Sequence, residues 1–338
     1  MKIALDAYGG DFGLAPNLDG ALDAAGRFGC HIMLVGDGSA LKDALRAKGQ
    51  ENNPSLSIVP ADGMVGMDEE PAIACREKPK ASIMVCAELV ATGQADAMVS
   101  MGNSGATAVA AIFKMGRLPG VSRPAIALFM PTRNNRVMLL DAGAITDAKP
   151  QHLLQYAHMA SIYMSKAQGV EKPSVGILSV GEEECKGNAL VKETVPLLKA
   201  SGLNFHGPVE GRDIPAGTVD IVVCDGFVGN ICLKLAEGMA KTIFQIVKEQ
   251  ASRNPVYMLG ALLLKGAFAS IKAQTDPDLI GGAPLLGVDG VTIIGHGKSK
   301  AHGVSNAIGM AIKYRESGVN DAIKQALSGK PAETAEIS

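Results

Sequence analysis

The six cysteines of this 338-residue chain, Cys30, Cys75, Cys86, Cys185, Cys224 and Cys232, include no CxxC pair. Thiols scattered in this way pack as small apolar groups, which excludes a structural zinc or a disulfide frame and points to a reducing, cytoplasmic setting. Charge of one sign is also missing. With 32 basic against 34 acidic residues the formal net charge is −2, so no surface field exists for coating nucleic acid. Any acidic partner must be met by a local basic patch. No apolar run reaches the ~20 residues of a spanning helix. The most membrane-like segment, PVYMLGALLLKGAF at 255–268, is interrupted by Lys265 and is suited to lying on a bilayer, not to crossing it. The opening MKIALDAYGGD lacks the apolar stretch and cleavage site of a signal peptide.

Familiar cofactor and nucleophile motifs are absent too. GDGSAL at 36–41 starts like a dinucleotide fingerprint but carries Leu41 where the third glycine belongs, and there is no GxxxxGK[ST]. Ser104 in GNSG is not a GxSxG elbow, and no cysteine has an obvious histidine partner in sequence. His152 and His158, like His296 and His302, stand six apart, not the four that put two imidazoles on one helix face. No metal and no cofactor are expected. An enzyme without its own nucleophile can use a bound anion as one. Phosphate, largely dianionic near neutral pH, suits that role.

What is present is a rhythm. Apolar β-rich runs at 2–7, 31–36, 56–61, 96–102, 125–131, 136–143, 174–181, 219–226 and 291–297 alternate with helix-period stretches at 39–49, 82–93, 151–169 and 189–202. These four helices are each closed by a glycine. The rhythm predicts βαβ units: a three-layer α/β/α fold with a mainly parallel sheet covered on both faces. The pair 125–131 and 136–143, joined by TRNN, reads as an antiparallel hairpin. At 229–274 a long helix is followed, after Asn254-Pro255, by a second apolar one, which predicts a protruding helix pair for dimerisation or membrane contact. The 47% apolar content supports about two domains' worth of core. The alternation reads as one catalytic unit over 1–330, in which two subdomains can intertwine, with a disordered tail at 331–338.

Six glycine-containing loops follow strands: DAYGGD (6–11), SMGNSGA (100–106), DAGAITDAKP (141–150), VGEEECKGN (180–188), CDGFVGN (224–230) and GHGKSK (295–300). In a parallel sheet they emerge at one edge and should converge on a crevice, presenting backbone N–H groups and helix N-termini to an anion. Glu182, Glu183 and Glu184 are consecutive, so they fan around a helix start and complement its dipole instead of converging on a cation. Lys186 and Asn188, a cation and an amide beside an anion site, become the residues of interest.

Taken together, DAYGGD, ADAMVSMGNSGAT, LLDAGAITDAKPQHLLQYA, GEEECKGNALVKE, VDIVVCDGFVGNICLK, GGAPLLGVDGV and HGKSKAHGVSNAI resemble, in order and over most of the chain, the bacterial phosphate acyltransferases of phospholipid synthesis (the PlsX family). The resemblance implies transfer of a long-chain acyl group from acyl carrier protein to inorganic phosphate, giving acyl phosphate that a glycerol-3-phosphate acyltransferase then uses. It implies a homodimer, a fold akin to phosphotransacetylases and the isocitrate and isopropylmalate dehydrogenases, and peripheral association with the inner face of the cell membrane. It carries over Lys186 and Asn230 as the catalytic pair. Asp6, Gly9, Gly10, Asn103, Ser104, Gly187, Asn188, Asp225 and Gly229 would line the phosphate and substrate site, although Asp6 and Asp225 read equally well as loop-ordering carboxylates. Leu259, Leu262, Leu263 and Phe268 would face the membrane with Met258, with Lys265 and Lys272 near headgroups, or else form dimer core. The carrier protein would use a basic patch drawn from Arg76, Lys78, Lys80 or Lys298. Two positions depart from the family pattern: Tyr8 stands where methionine is usual and Ile145 where asparagine is expected. The alternatives are a coenzyme A-dependent phosphotransacetylase, a decarboxylating dehydrogenase, or a non-catalytic scaffold docked on a membrane.

Overall fold

The computed structural model describes residues 1–133 and 136–328. Asn134 and Asn135 of the expected turn, the side chain of Lys272 and the expected tail lie outside the described residues. In chain order the first elements are β1 (Lys2–Asp6), α1 (Leu14–Phe28), β2 (His31–Gly36), α2 (Gly38–Ala47) and β3 (Leu56–Pro60). Next come α3 (Pro71–Glu77), α4 (Ser82–Ala91), β4 (Ala97–Ser100), α5 (Ser104–Met115), β5 (Ala125–Ile126), β6 (Leu128–Pro131) and β7 (Arg136–Leu140). Then follow α6 (Pro150–Gln168), β8 (Val175–Leu178), α7 (Ala189–Lys199), β9 (Phe205–Val209), α8 (Asp213–Ala216) and β10 (Ile221–Val223). A helical stretch of α9 (Gly226–Ser252), α10 (Pro255–Leu263), α11 (Lys265–Thr275) and α12 (Pro277–Ile280) precedes β11 (Ala283–Leu286), β12 (Thr292–Ile294), α13 (Ala301–Glu316) and α14 (Val319–Leu327).

The mainly parallel strands form two sheets. One has the order β3-β2-β1-β4-β12-β11-β5, the other β6-β7-β10-β8-β9. Among these strands, antiparallel pairing involves β11, flanked by β12 and β5, and β6 beside β7. The expected antiparallel pairing therefore forms between 128–131 and 136–140, but the run 125–131 does not belong to it as a whole. It splits at Ala127: Ile126 pairs with Leu285 in the first sheet, and Leu128 pairs with Leu139 in the second. Ala125, Ile126 and Ala127 are all buried, so this run has no polar face to hold it in a single sheet.

Large aromatic side chains are few, and three tyrosines are the largest fully buried side chains. Tyr156, Tyr163 and Tyr314 are at most 1% exposed, and Tyr163 meets Tyr314 edge-on at 5.4 Å. The expected helices form where the periodicity puts them. Gly169 closes α6 in the left-handed conformation, and Asn254 caps α10 with Pro255 in its first turn. The apolar stretch after Pro255 is two helices, with the break at Leu264. Beyond its first turn α9 buries little: Ile231, Leu235, Met239 and Ile243 recur every four residues as an exposed apolar stripe. No helix among the described residues is long and apolar enough to cross a membrane.

Candidate active site

In the first sheet β1, β4 and β12 are neighbours and parallel, so the loops after them leave the same edge together. The Asp11 N–H donates to the Gly297 carbonyl at 2.7 Å. Ser100 Oγ donates to Asp6 Oδ2 at 2.8 Å while accepting the Gly102 N–H at 3.0 Å. Gly10 has φ +94°, and a Cβ there would sit 2.9 Å from the Gly297 carbonyl, so two loops approach through a backbone that other residues adopt only under strain. Gly9 abuts Gly102 N and Asp6 Oδ2 just as tightly. Burial pushes the Asp6 carboxyl above its ordinary range; nearby Ser82 and Ser100 hydroxyls oppose this, of which Ser100 meets hydrogen-bond geometry.

A residue that sequence reading missed organises this loop. Asn17 is 1% exposed, and its Nδ2 lies 2.8 Å from the Gly9 carbonyl and 2.9 Å from that of Gly13. Its only sequence signal is an asparagine on the apolar face of α1. Tyr8, the first departure, lays its ring over Gly36, where a Cβ would come within 2.5 Å. Asn103 caps α5: its Oδ1 accepts the Ala106 N–H at 3.1 Å and its Nδ2 reaches the Glu69 carbonyl at 3.1 Å. Ser104, the first residue of α5, is exposed.

In the second sheet β7, β10 and β8 are parallel neighbours. Here the organiser is Asp141, also missed. Fully buried, it accepts N–H bonds from Ile126 (2.9 Å), Gly143 (3.1 Å), Ala144 (3.0 Å) and Ile145 (2.7 Å). Burial pushes its carboxyl up, and these four donors pull the other way. The signal was available: an Asp followed by Ala-Gly-Ala after a strand is a tight turn in need of an acceptor. Ile145, the second departure, works through its backbone, because its carbonyl accepts the Gly226 N–H at 2.7 Å. Asp225 caps α9 by accepting the Val228 N–H at 2.9 Å. Gly229 lets α9 press on the Asp141 carbonyl, where a Cβ would be 1.9 Å away. Asn230 is exposed beside Gly143, its amide within 4 Å of where a Gly143 Cβ would stand. Cys224 is buried with its thiol pushed well up, which removes it as a nucleophile.

The glutamate cluster differs from expectation. Glu182, Glu183 and Glu184 lie in an irregular turn, and α7 begins only at Ala189, capped by Asn188 Oδ1 accepting the Val191 N–H at 3.0 Å. They are not helix-dipole charges. Each pairs with its own cation: Glu182 with Arg212 (3.3 Å), Glu183 with Lys186 (2.8 Å) and Glu184 with Lys199 (2.5 Å). The reason is local, since the positive φ of Gly187 (+99°) turns the chain before the helix can start. Lys186 is half-exposed and folds over Gly181; its hydrogen bond to Glu183 pushes its pKa up, so it stays an ammonium. No cluster of three or more His, Cys, Asp or Glu side chains able to hold a metal occurs among the described residues.

The six loops thus form two groups, one on each sheet edge, and the 141–145 turn joins them. Ala142 N–H donates to the Ile126 carbonyl at 2.9 Å, and Ala142 packs with Ala108 and Ala111 of α5. Asn230 stands at this junction. Lys186 stands apart on the neighbouring loop, and no hydrogen bond or ion pair among the described residues links it to Asn230. Asp6, Asn103, Asn188 and Asp225 spend side-chain oxygens on local donors.

Among solved structures, a phosphotransacetylase from Streptococcus pyogenes superposes with a TM-score of 0.63 at 16% identity over 94% of each chain. The EutD phosphotransacetylase from Staphylococcus aureus gives 0.58 at 16% identity, again over 94% of each. At such identities the likeness speaks for the fold alone. Sequence relatives are nearer. A protein of Elusimicrobium minutum named phosphate acyltransferase is 54% identical over 325 residues, 96% of this chain and 95% of that one. Another of that name from Desulfitobacterium hafniense is 46% identical over 329 residues, 97% of this chain and 98% of its own. With the family model described as fatty acid synthesis protein matching residues 1–322, the chain belongs to that family.

Proposed function

We propose that this protein is a phosphate acyltransferase that moves a long-chain acyl group from acyl carrier protein to inorganic phosphate. The observation that carries the reading is the junction itself. The turn knotted on Asp141 sets the first turn of α9, with Asn230, against the edge from which α5 also starts. Helix N-termini and loop amides there favour an anion. Burial pushes up the thiols of both Cys224 and Cys232 beside the junction, so phosphate is the better nucleophile there. A phosphate oxygen attacks the thioester carbonyl, the C–S bond breaks, and the hydrogen of monohydrogen phosphate leaves with the carrier thiolate. Asn230 donates to the developing oxyanion, a contribution of ~3 kcal/mol in comparable sites. Lys186 exchanges Glu183 for the phosphate, its raised pKa keeping it charged.

The exposed stripe on α9 supports a homodimer, and exposed Leu259, Leu262 and Leu263 on α10 support contact with the inner face of the cell membrane. Phe268 differs from these three in being partly buried, on the lining of a groove shared with α9 and α10. A membrane glycerol-3-phosphate acyltransferase would then receive the product. The test is hydroxylamine trapping of acyl phosphate from purified protein and phosphate, with palmitoyl carrier protein or acetyl-coenzyme A and no metal or nucleotide. Trapped product from palmitoyl carrier protein alone is the expected result. Product from acetyl-coenzyme A alone would make the protein a phosphotransacetylase, and none from either would leave a scaffold.

A further inference from the structure

A groove of about 1050 Å³ lies between α9, α10 and α11 on one side and the 296–300 loop on the other. Its walls are apolar, with Phe244 and Val247 from α9, Met258 and Leu262 from α10 and Phe268 from α11. Its rim is cationic: Lys241, Lys248, Lys265, Lys298 and Lys300 outnumber Glu237, Asp276 and Asp278. All three carboxylates are already engaged, Glu237 with His296 Nε2 at 3.7 Å, Asp276 with the Asp278 N–H at 3.0 Å and Asp278 with the Lys300 N–H at 3.1 Å. Backbone donation from Lys298 to His296 Nδ1 at 3.1 Å orients that ring toward Glu237. The apolar floor matches a hydrocarbon chain, and the net positive rim favours the acidic carrier protein that would deliver it.

The groove also runs out of the junction. Asn230, Lys234 and Glu237 follow one face of α9 at spacings of four and three, so the near end of the groove lies about 10 Å from Asn230. From Glu237 to Ser252 the helix extends roughly 22 Å, the length of an extended long-chain acyl group.

We infer that this groove holds the fatty acyl chain of the donor, with its thioester end toward His296 and Asn230 and its methyl end toward Ser252. The inference rests on the acyltransferase reading above and adds where the chain lies and why long chains would be selected. The test is lipid-free, so membrane recruitment does not enter. Val247→Trp fills the floor, and Phe244→Asp places a charge on the same wall. Palmitoyl and butyryl carrier proteins are compared as donors, and the fluorescent fatty acid cis-parinaric acid measures chain binding without turnover. The palmitoyl-to-butyryl ratio of kcat/KM should fall at least tenfold in both folded variants, with parinaric acid binding lost. An unchanged ratio in both would overturn the assignment. So would a change of oligomeric state accompanying equal losses with both donors, which would make the groove an interface between two copies. If the wild type yields no acyl phosphate from either donor, the acyltransferase reading fails by itself; parinaric acid binding that Val247→Trp abolishes would still support a chain site, and undiminished binding would overturn it.

Discussion

The same substitution made twice in α9 should have opposite effects. In a helix interior, glycine is less favourable than alanine by about 1 kcal/mol, because its backbone loses more freedom on folding. Gly238 has nothing within 4 Å of a built Cβ, so Gly238→Ala should stabilise by 0.5 to 1 kcal/mol, about. At Gly229 a methyl would lie 1.9 Å from the Asp141 carbonyl oxygen and 3.1 Å from Cys224 Sγ. Ordinary contact begins near 3.4 Å, so the start of α9 would have to retreat by about 1.5 Å against backbone that four hydrogen bonds hold in place. Overpacking of this kind costs about 3 kcal/mol, leaving a net destabilisation of about 2 kcal/mol after the helical gain. The retreat also carries Asn230 away from the Gly143 turn, and misplacement by an ångström can lower turnover by about 100-fold. Urea unfolding followed by circular dichroism, together with hydroxamate-trapped turnover, measures both effects. A Gly229→Ala protein as stable and as active as Gly238→Ala would refute the close approach and with it the placement of Asn230.

Three further outcomes follow from the site. Lys186→Ala should lower turnover by about 100-fold or more with an unchanged unfolding midpoint, since its exposed pair with Glu183 contributes little to stability; near-normal turnover would remove it from the mechanism. Burial raises the Asp6 carboxyl in the folded state, so its favourable contribution is complete below the unfolded pKa near 4 and is lost as pH rises through the higher folded value. Asp6→Asn, which keeps an acceptor for Ser100, should therefore gain on the wild type as pH rises from about 4 toward neutrality, and a stability gap moving the opposite way in urea midpoints would contradict the burial argument. Leu262→Glu with Leu263→Glu should abolish liposome flotation of a protein that still dimerises; unchanged flotation would refute the proposed membrane role of α10.

The strands were legible because most are buried on both faces and so read as uninterrupted apolar runs. Two were not. β9 (FHGPV) carries Gly207 and Pro208, tolerable only because it is an edge strand, and β11 contains Pro284, whose carbonyl accepts the Ala127 N–H at 2.9 Å in place of a full ladder. Their pairing depends on neighbours distant in sequence, which local patterning does not carry. The glycine loops were legible as a set, but their division between two sheets was not, because the run 125–131 has equal claims on both. The glutamates misled for a related reason: three acids before a helical pattern look like a first turn, whereas Gly187 delays the helix and leaves each acid to find its own cation.

Asp141 and Asn17 escaped a search for chemistry because they are buried and touch mainly backbone. That is also why they matter. A carboxylate with four amide donors in a buried turn is costly to move, since each donor left bare would cost about 1 to 3 kcal/mol. One of those donors, Ile126, belongs to a strand of the first sheet, and the turn itself ends β7 of the second. The same turn receives α9 through Ile145 and Gly229. A single side chain therefore fixes the position of one sheet edge against the other and of Asn230 against both. The proposed reactive residues Asn230 and Lys186 are exposed, and the position of Asn230 is set by a buried acid that need never touch substrate. On this reasoning the departure at position 145 is tolerated because the turn uses that residue's N–H and carbonyl, which isoleucine supplies as well as asparagine.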